Sequence, residues 1–158
     1  MTEKLRNSVT PRPWCLRKRV LPQHTDHAGV VWHGTYINWL EESRVEALAA
    51  VGMTYAEMER HGIAMPVVSL RIDYRRSLRH GDVVQLESRC GSQRGVRWPW
   101  LTSLKRGQEL MAEASIELVM LEGAGRVLRR PPSALASVMQ RLQLGPGDKE
   151  INTLVQMY

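Results

Sequence analysis

The spacing of apolar residues changes along the chain and marks where helix gives way to strand. Between residues 36 and 51, apolar side chains recur every three or four positions, which is the period of one helix face. The predicted buried positions of this helix are Tyr36, Ile37, Leu40, Ala47, Leu48 and Val51. Thr35 fits its N-cap, and Gly52 fits the position just past its C-terminus. A second, short helix is predicted after Thr54, because Glu57 stands at the capping-box position.

Beyond residue 67 apolar and polar residues alternate, as in strands with one buried face. The predicted strands cover residues 68–75, 84–87, 96–104 and 110–120, with a further strand at 14–21. Pro99 has no N–H to donate, so we expect its strand at a sheet edge or at a bulge. Pro131 and Pro132 open a C-terminal helix that is predicted to run to about Leu142.

These elements predict an α+β domain in which an antiparallel sheet packs against one long helix. We expect a flexible arm at 1–13, a single domain at 14–142 and a C-terminal tail at 143–158. The four strands after residue 67 are expected to follow one another as a meander. One long helix leaves a face or an edge of the sheet uncovered, which favours a dimer.

The composition shows an excess of basic residues, which points to an anionic partner. The chain has 158 residues, 43% hydrophobic and 24% charged, and a formal charge of +6. Residues 1–20 carry +5 and the mainly arginine block 67–110 carries another +5, which suggests a nucleic acid, an anionic lipid or a phosphorylated small molecule. We expect a cytoplasmic protein with no membrane partner, because no apolar run nears the roughly 18 residues of a span and none marks a secretory signal. Two cysteines do not make a disulfide framework.

The candidate catalytic residues lie in the stretch 24–44, HTDHAGVVWHGTYINWLEESR. Asp26 lies in a loop just before the long helix, whose first amides present free N–H donors and a positive dipole end. Such amides can polarise a carbonyl oxygen, while a carboxylate facing the same point can attack the carbonyl or activate water. Gly29 lets the backbone approach a ligand closely. The alternative is that Asp26 only caps a turn.

The same stretch resembles the active-site signature of the 4-hydroxybenzoyl-CoA thioesterase family. The matching positions are Thr25-Asp26, Gly29-Val30-Val31-Trp32-His33, Tyr36, Trp39-Leu40-Glu41 and Arg44, followed by Pro66-Val67-Val68, Tyr74-Arg75-Arg76 and Gly81-Asp82. The resemblance covers about residues 14–142. It implies a hotdog fold, in which an antiparallel sheet of five or six strands wraps around one long helix. It also implies an acyl-CoA thioesterase that needs no cofactor. Its subunits would join their sheets in a homodimer, and two dimers would often pair into a homotetramer.

The resemblance implies specific roles. Asp26 would be the catalytic carboxylate, as nucleophile or general base, and His33 would polarise the thioester carbonyl through its N–H. The implied substrate-binding residues are Gly29, Val31, Trp32, Tyr36 and Glu41. The implied CoA phosphate ligands are Arg94 and Arg97, with Arg75, Arg76 and Arg79 as second choices.

The resemblance leaves the acyl group open. Trp32 favours an aromatic group such as hydroxybenzoyl or dihydroxynaphthoyl, and Pro22 stands where many short-chain relatives carry a tyrosine. A short-chain acyl-CoA and an acyl-carrier-protein thioester are the alternatives.

The sequence also allows functions other than thioester hydrolysis. A non-catalytic module that binds acyl-CoA or nucleic acid is the main alternative, because Trp98 and Trp100 beside arginines could stack bases. We expect these tryptophans to pack in the strand core or on a dimer face, and we expect no nucleic-acid partner. His24, His27 and His33 match no common zinc signature, so no metal site is expected. Cys90 lacks the local partner that a nucleophilic cysteine needs.

Overall fold

Five antiparallel strands form the main sheet in a computed structural model that describes residues 11–147. The strands are β1 (Trp14–Arg19), β3 (Val67–Tyr74), β4 (Val83–Cys90), β5 (Arg97–Arg106) and β6 (Glu109–Val119). A small second sheet contains β2 (Ile63–Ala64), β7 (Leu121–Glu122) and β8 (Arg126–Val127). The helices are α1 (His33–Ala50), α2 (Tyr55–Arg60) and α3 (Ser133–Leu144), with a 3-10 turn at Pro22–His24. The predicted α+β class, with a five-stranded antiparallel sheet, is confirmed.

The strand order of the main sheet is β1-β4-β5-β6-β3. The predicted meander is therefore right for β4, β5 and β6 and wrong for β3, which pairs with β6 at the far edge, Leu70 opposite Ile116. The connection from β3 to β4 crosses the end of the sheet and buries Leu78 completely. It then contacts the residue that follows β1, since the Gly81 amide donates to the Val20 carbonyl at 2.9 Å.

Helix α1 buries one face, which includes polar groups. Its buried residues include Tyr36, Trp39, Leu40, Ala47 and Leu48, together with Thr35, Ser43 and Arg44. The Ser43 hydroxyl lies 3.0 Å from that of Ser88 on β4, which lies 2.8 Å from that of Thr102 on β5. This buried hydroxyl chain fixes α1 over the sheet, because leaving any of the three without a partner would be costly. Ile37 is 44% exposed, so its predicted burial is wrong.

The start of α1 differs from the prediction. Trp32 is the N-cap, and Thr35 lies inside the first turn. The Thr35 hydroxyl donates to the His24 carbonyl at 3.0 Å, so this side chain ties the preceding loop to the helix instead of capping it. The predicted end is correct, since Gly52 follows the C-cap with a φ of +83°. Thr54 caps α2 as predicted, accepting from the Glu57 amide at 3.2 Å.

Pro99 lies in the middle of the sheet, on β5, so its predicted edge or bulge position is wrong. The pairing of β4 with β5 ends at Cys90, just before the position opposite Pro99. The Gly91 amide still donates to the Pro99 carbonyl at 2.8 Å. The Gly91 carbonyl, which would face a ladder N–H, accepts instead from the Gln143 side chain at 3.1 Å. The missing N–H of Pro99 therefore leaves no acceptor unsatisfied.

Strand β3 leaves one edge of the sheet open. Val68, Leu70 and Tyr74 on this strand are 47%, 39% and 50% exposed. An exposed apolar edge strand is a surface on which another strand can pair. No helix of the described residues is long and apolar enough to cross a membrane. Most of the predicted arm and tail lies outside the described residues, so the domain boundaries stay predictions.

Candidate active site

Asp26 organises a tight turn in the loop before α1. The Gly29 amide donates to the Asp26 carbonyl at 3.0 Å, and Gly29 has a φ of +77°, a conformation that favours glycine. The Asp26 Oδ1 atom accepts from the amides of Ala28 at 2.8 Å and Val30 at 3.4 Å. Asp26 thus caps a turn, as the alternative held, but with one carboxylate oxygen. The turn fixes the orientation of the second oxygen, for which no hydrogen bond is seen among the described residues.

The loop is anchored on both sides. The Val31 amide donates to the Leu78 carbonyl at 2.8 Å, and the Trp32 amide donates to the His24 carbonyl at 2.9 Å. The His24 Nδ1 atom accepts from the Leu21 amide at 3.0 Å, and its ring packs edge-on against Trp39. His24 is therefore a structural anchor of the loop. The described residues contain no cluster of three or more side chains arranged to bind a metal ion.

The first turn of α1 offers free amide donors beside this loop. The first amides of a helix have no partner within it. The Thr35 amide bonds to the Trp32 carbonyl at 2.9 Å, whereas the amides of His33 and Gly34 have no partner among the described residues. Because these N–H groups stand at the positive end of the helix dipole, they suit a developing negative charge on oxygen.

A cavity of about 330 Å³ joins the loop, the helix start and the end of β3. Its lining includes the predicted site residues Asp26, Val31, His33 and Tyr36, and from the β3 end Tyr74, Arg75, Arg76 and Ser77. Burial raises the pKa of the Tyr36 and Tyr74 hydroxyls, which keeps both neutral at neutral pH. The predicted residues Gly29 and Trp32 flank the cavity in the chain without lining it. Sequence reasoning missed Tyr74 as a site residue, although it stands in the matching motif Tyr74-Arg75-Arg76.

Glu41 lies elsewhere in the same chain. It lines a second cavity, of about 710 Å³, between α1, α2 and the small sheet. Glu41 pairs with the buried Arg44 and accepts a hydrogen bond from the Tyr55 hydroxyl. Val67 at the start of β3 also lines this cavity, whereas Tyr74 at the other end of β3 lines the Asp26 cavity. Glu41 lies eight residues beyond His33 on α1, about 12 Å along the helix at 1.5 Å per residue, and it does not line the Asp26 cavity of its own chain.

The predicted phosphate ligands Arg94 and Arg97 are exposed and do not line the Asp26 cavity. Arg94 borders a different cavity, of about 540 Å³, that also includes Leu101. Arg97 pairs with Glu117. Of the three second choices, Arg75 and Arg76 line the Asp26 cavity, whereas Arg79 does not.

Ion pairs neutralise much of the basic block at 67–110. Across the sheet Arg75 pairs with Glu113 at 2.8 Å and Lys105 with Glu87 at 2.7 Å. Further pairs are Arg71–Asp73, Arg76–Glu109, Arg97–Glu117 and Arg106 with Asp82 and Glu109. The expected core position of Trp98 and Trp100 is confirmed, since they are 4% and 1% exposed and cannot stack bases. This surface does not favour nucleic acid.

Both cysteines are free thiols. Burial raises the pKa of the Cys90 thiol to about 12, so it is protonated at neutral pH and unsuited to nucleophilic attack. Burial also raises the pKa of Cys15, with the Glu87 carboxylate as the second cause.

Known proteins resemble this chain in sequence and in fold. "Putative esterase sll0410" of Synechocystis is 35% identical over 140 residues, which cover 86% of this chain and 84% of the relative. "Acyl-CoA thioesterase YbgC" of Haemophilus influenzae is 26% identical over 105 residues, covering 66% and 77%. The solved structure of a DHNA-CoA thioesterase from Staphylococcus aureus superposes with a TM-score of 0.71 at 22% identity, covering 90% of this chain and 93% of that one.

The family follows from the extent of the match. Residues 20–142, which contain the Asp26 loop, α1 and β3–β6, match the family model described as the thioesterase-like superfamily. The predicted family and the hotdog fold are thereby confirmed. The chain belongs to the thioesterase-like superfamily.

Proposed function

We propose that the protein is an acyl-CoA thioesterase that hydrolyses an acyl-CoA to a free acid and CoA. One observation carries the proposal: the Asp26 carboxylate and His33, the first residue of α1, line the same cavity. A thioester held there would meet a carboxylate and helix N-terminal amides at once. Those are the two groups that acyl transfer to water requires.

The reaction has two routes with the same products. The amides of His33 and Gly34 would donate hydrogen bonds to the thioester carbonyl oxygen as it gains negative charge. As general base, Asp26 takes a proton from water, the hydroxide attacks the carbonyl carbon, and the C–S bond breaks to release CoA thiolate. As nucleophile, Asp26 attacks the carbonyl itself, CoA thiolate leaves, and water then hydrolyses the acyl-aspartyl anhydride. In both routes the thiolate gains a proton and the acid is released.

We propose an aromatic acyl group, such as hydroxybenzoyl or dihydroxynaphthoyl, as the preferred substrate. Aromatic rings are concentrated at the site: Tyr36 and Tyr74 line the cavity, and Trp32 stands at the helix N-cap. The S. aureus structural neighbour is a DHNA-CoA thioesterase, which is consistent with this substrate class. Pro22 begins the 3-10 turn, so no tyrosine side chain assists from that position.

We also propose that two copies pair through β3 and so complete the site. In a full antiparallel pairing of β3 with the β3 of a second copy, Val67 of one copy stands opposite Tyr74 of the other. The cavity that contains Glu41 in one copy would then adjoin the Asp26 cavity of the other. Glu41 would thereby become a substrate-binding residue in trans. Dimers of this kind can associate further into tetramers.

The two free thiols fit a reducing compartment, and we propose the cytosol as the location of the protein.

A thiol-release assay tests the proposed function. The panel contains benzoyl-CoA, 4-hydroxybenzoyl-CoA, acetyl-CoA, butyryl-CoA and an acyl-carrier-protein thioester. We expect turnover of the CoA esters, with the largest kcat/KM for the aromatic ones. Faster turnover of butyryl-CoA would contradict the aromatic preference, and turnover of the carrier-protein thioester alone would contradict the CoA assignment. Tight binding of the CoA esters without any thiol release would make the protein a binding module.

A further inference from the structure

Gly34, in the first turn of α1, has a backbone that any residue could adopt. Its φ is not positive, unlike those of Gly29 and Gly52 at turns. Alanine stabilises a helix more than glycine does, so glycine here works against the helix. The contact with Trp32 explains why this position of the helix has no side chain. A Cβ atom on Gly34 would lie 2.2 Å from Cζ3 and 2.4 Å from Cη2 of Trp32, so the indole occupies the space of a side chain.

The Trp32 backbone is fixed by hydrogen bonds, whereas its indole ring is exposed to solvent. Its amide donates to the His24 carbonyl at 2.9 Å, and its carbonyl accepts from the Thr35 amide at 2.9 Å. The indole is nevertheless 49% exposed, with one side resting on Gly34. Its centroid lies 4.9 Å from that of the His33 ring, which lines the Asp26 cavity. A flat aromatic surface therefore lies beside the cavity.

An acyl-CoA does not fit within the cavity alone. The volume of about 330 Å³ is at the lower end of the range for pockets that bind drug-sized ligands. Much of the substrate must therefore lie on the adjoining surface, and the Trp32 ring is an apolar part of that surface. Exposed tryptophan rings bind flat heterocycles and aryl groups by stacking.

We propose that Gly34 is a positioning residue that lets the Trp32 indole lie on the first turn of α1 as a stacking platform for an aromatic ring of the substrate. The inference rests on the proposed thioesterase function and adds a specificity determinant to it. Two rings share this chemistry, the adenine of CoA and an aryl acyl group. Substitution of Gly34 by alanine would displace the indole into solvent without disturbing the backbone of α1.

Four thioesters separate the two rings: benzoyl-CoA has both, acetyl-CoA has adenine only, benzoyl-N-acetylcysteamine has the aryl ring only, and acetyl-N-acetylcysteamine has neither. The variants are W32A, W32F, G34A and W32A/G34A, with V127A as a control truncation of an apolar side chain that is 45% exposed. Thermal unfolding of each variant shows whether the fold is retained.

For W32A we expect kcat/KM to fall about ten-fold on the ring-bearing substrate that stacks, and to fall clearly less on acetyl-N-acetylcysteamine. G34A keeps the backbone amide and should show the same ordering of losses among the substrates, with an unchanged or higher melting temperature, and W32F should retain most activity. Because both single changes remove the same platform, W32A/G34A should be no worse than W32A. A loss confined to the aryl substrates identifies the acyl group as the stacked ring, and one confined to CoA esters identifies adenine.

Three results would overturn the inference: equal losses on the ringless substrate, multiplied losses in the double variant, or a G34A enzyme that behaves like V127A. A binding measurement separates this failure from that of the proposed function. Calorimetry of benzoyl-CoA with D26N, D26N/W32A and D26N/G34A does not depend on turnover. Weaker binding by the two double variants supports the platform even if the native protein hydrolyses nothing, and unchanged binding refutes it.

Discussion

The rings of Tyr36 and Tyr74 meet edge to face, with centroids 5.0 Å apart and planes at 77°. Tyr36 lies on the first turns of α1, and Tyr74 is the last residue of the edge strand β3. Both line the Asp26 cavity. This contact therefore connects the helix start that offers the amides to the open edge of the sheet.

The Tyr36–Tyr74 contact predicts that the ring of Tyr74, and not its hydroxyl, maintains the cavity wall. Tyr74→Ala should lower the free energy of unfolding by about 1 kcal/mol, as for loss of an aromatic pair, and should reduce kcat/KM. Tyr74→Phe keeps the ring and should retain both properties. Urea unfolding and thiol-release kinetics measure the two effects, and equal losses in both variants would show that the hydroxyl is the important group.

Sequence patterns located the helices and strands because their periods reflect burial on one side. They failed where tertiary contacts decided the outcome. Ile37 shares the apolar character of its neighbours, yet the turn of α1 points it into solvent. Thr35 is a good N-cap residue, but its hydroxyl bonds to the His24 carbonyl, a partner eleven residues away. The position of β3 depends on a connection that crosses the sheet, which no local period encodes.

The candidate site could be predicted in part for the same reason. Asp26, Val31, His33 and Tyr36 are close in sequence, and the loop and first turn of α1 bring them to one cavity. Tyr74 reaches this cavity from a distant strand, so periodicity alone could not assign it.

The open edge of β3 predicts self-association. Leu70→Lys introduces a charge where an apolar side chain is 39% exposed, and charged side chains on edge strands disfavour pairing. We expect the native protein to be a dimer or tetramer and L70K to be a monomer with lower activity. Light scattering after gel filtration measures the mass. Leu144→Lys, at a leucine on α3 that is 68% exposed, is the control and should leave assembly unchanged. A monomeric native protein would contradict the β3 pairing.

The two sets of arginines give opposite predictions for CoA recognition. If Arg94 binds a CoA phosphate, Arg94→Ala should raise KM for CoA esters and leave a CoA-free thioester unaffected. Arg76 lines the Asp26 cavity and pairs with Glu109 at 3.2 Å. Arg76→Ala, the matched variant, should then have the smaller effect on KM for CoA esters. A larger effect for Arg76→Ala would move the phosphate site to the end of β3, and equal effects of Arg94→Ala on both thioesters would exclude Arg94.

Cys90 predicts a specific loss of stability at alkaline pH. Its folded pKa of about 12 exceeds its ordinary value of 9.0, so the folded state holds the thiol proton more tightly than the unfolded state does. The resulting stabilisation is complete below pH 9 and disappears as the pH rises toward 12. The difference in free energy of unfolding between the native protein and Cys90→Ala should shrink over this range. A difference that stays constant would mean that the thiol is not desolvated.

The thiol-release rate of Asp26→Asn tests the central claim most directly. Asparagine keeps an oxygen that can accept from the Ala28 amide, so the turn and the melting temperature should be preserved. It removes the carboxylate that activates water or attacks the thioester, and kcat should fall by about 10²- to 10⁴-fold. A folded Asp26→Asn protein that releases CoA within a few-fold of the native rate would contradict the proposed role of Asp26.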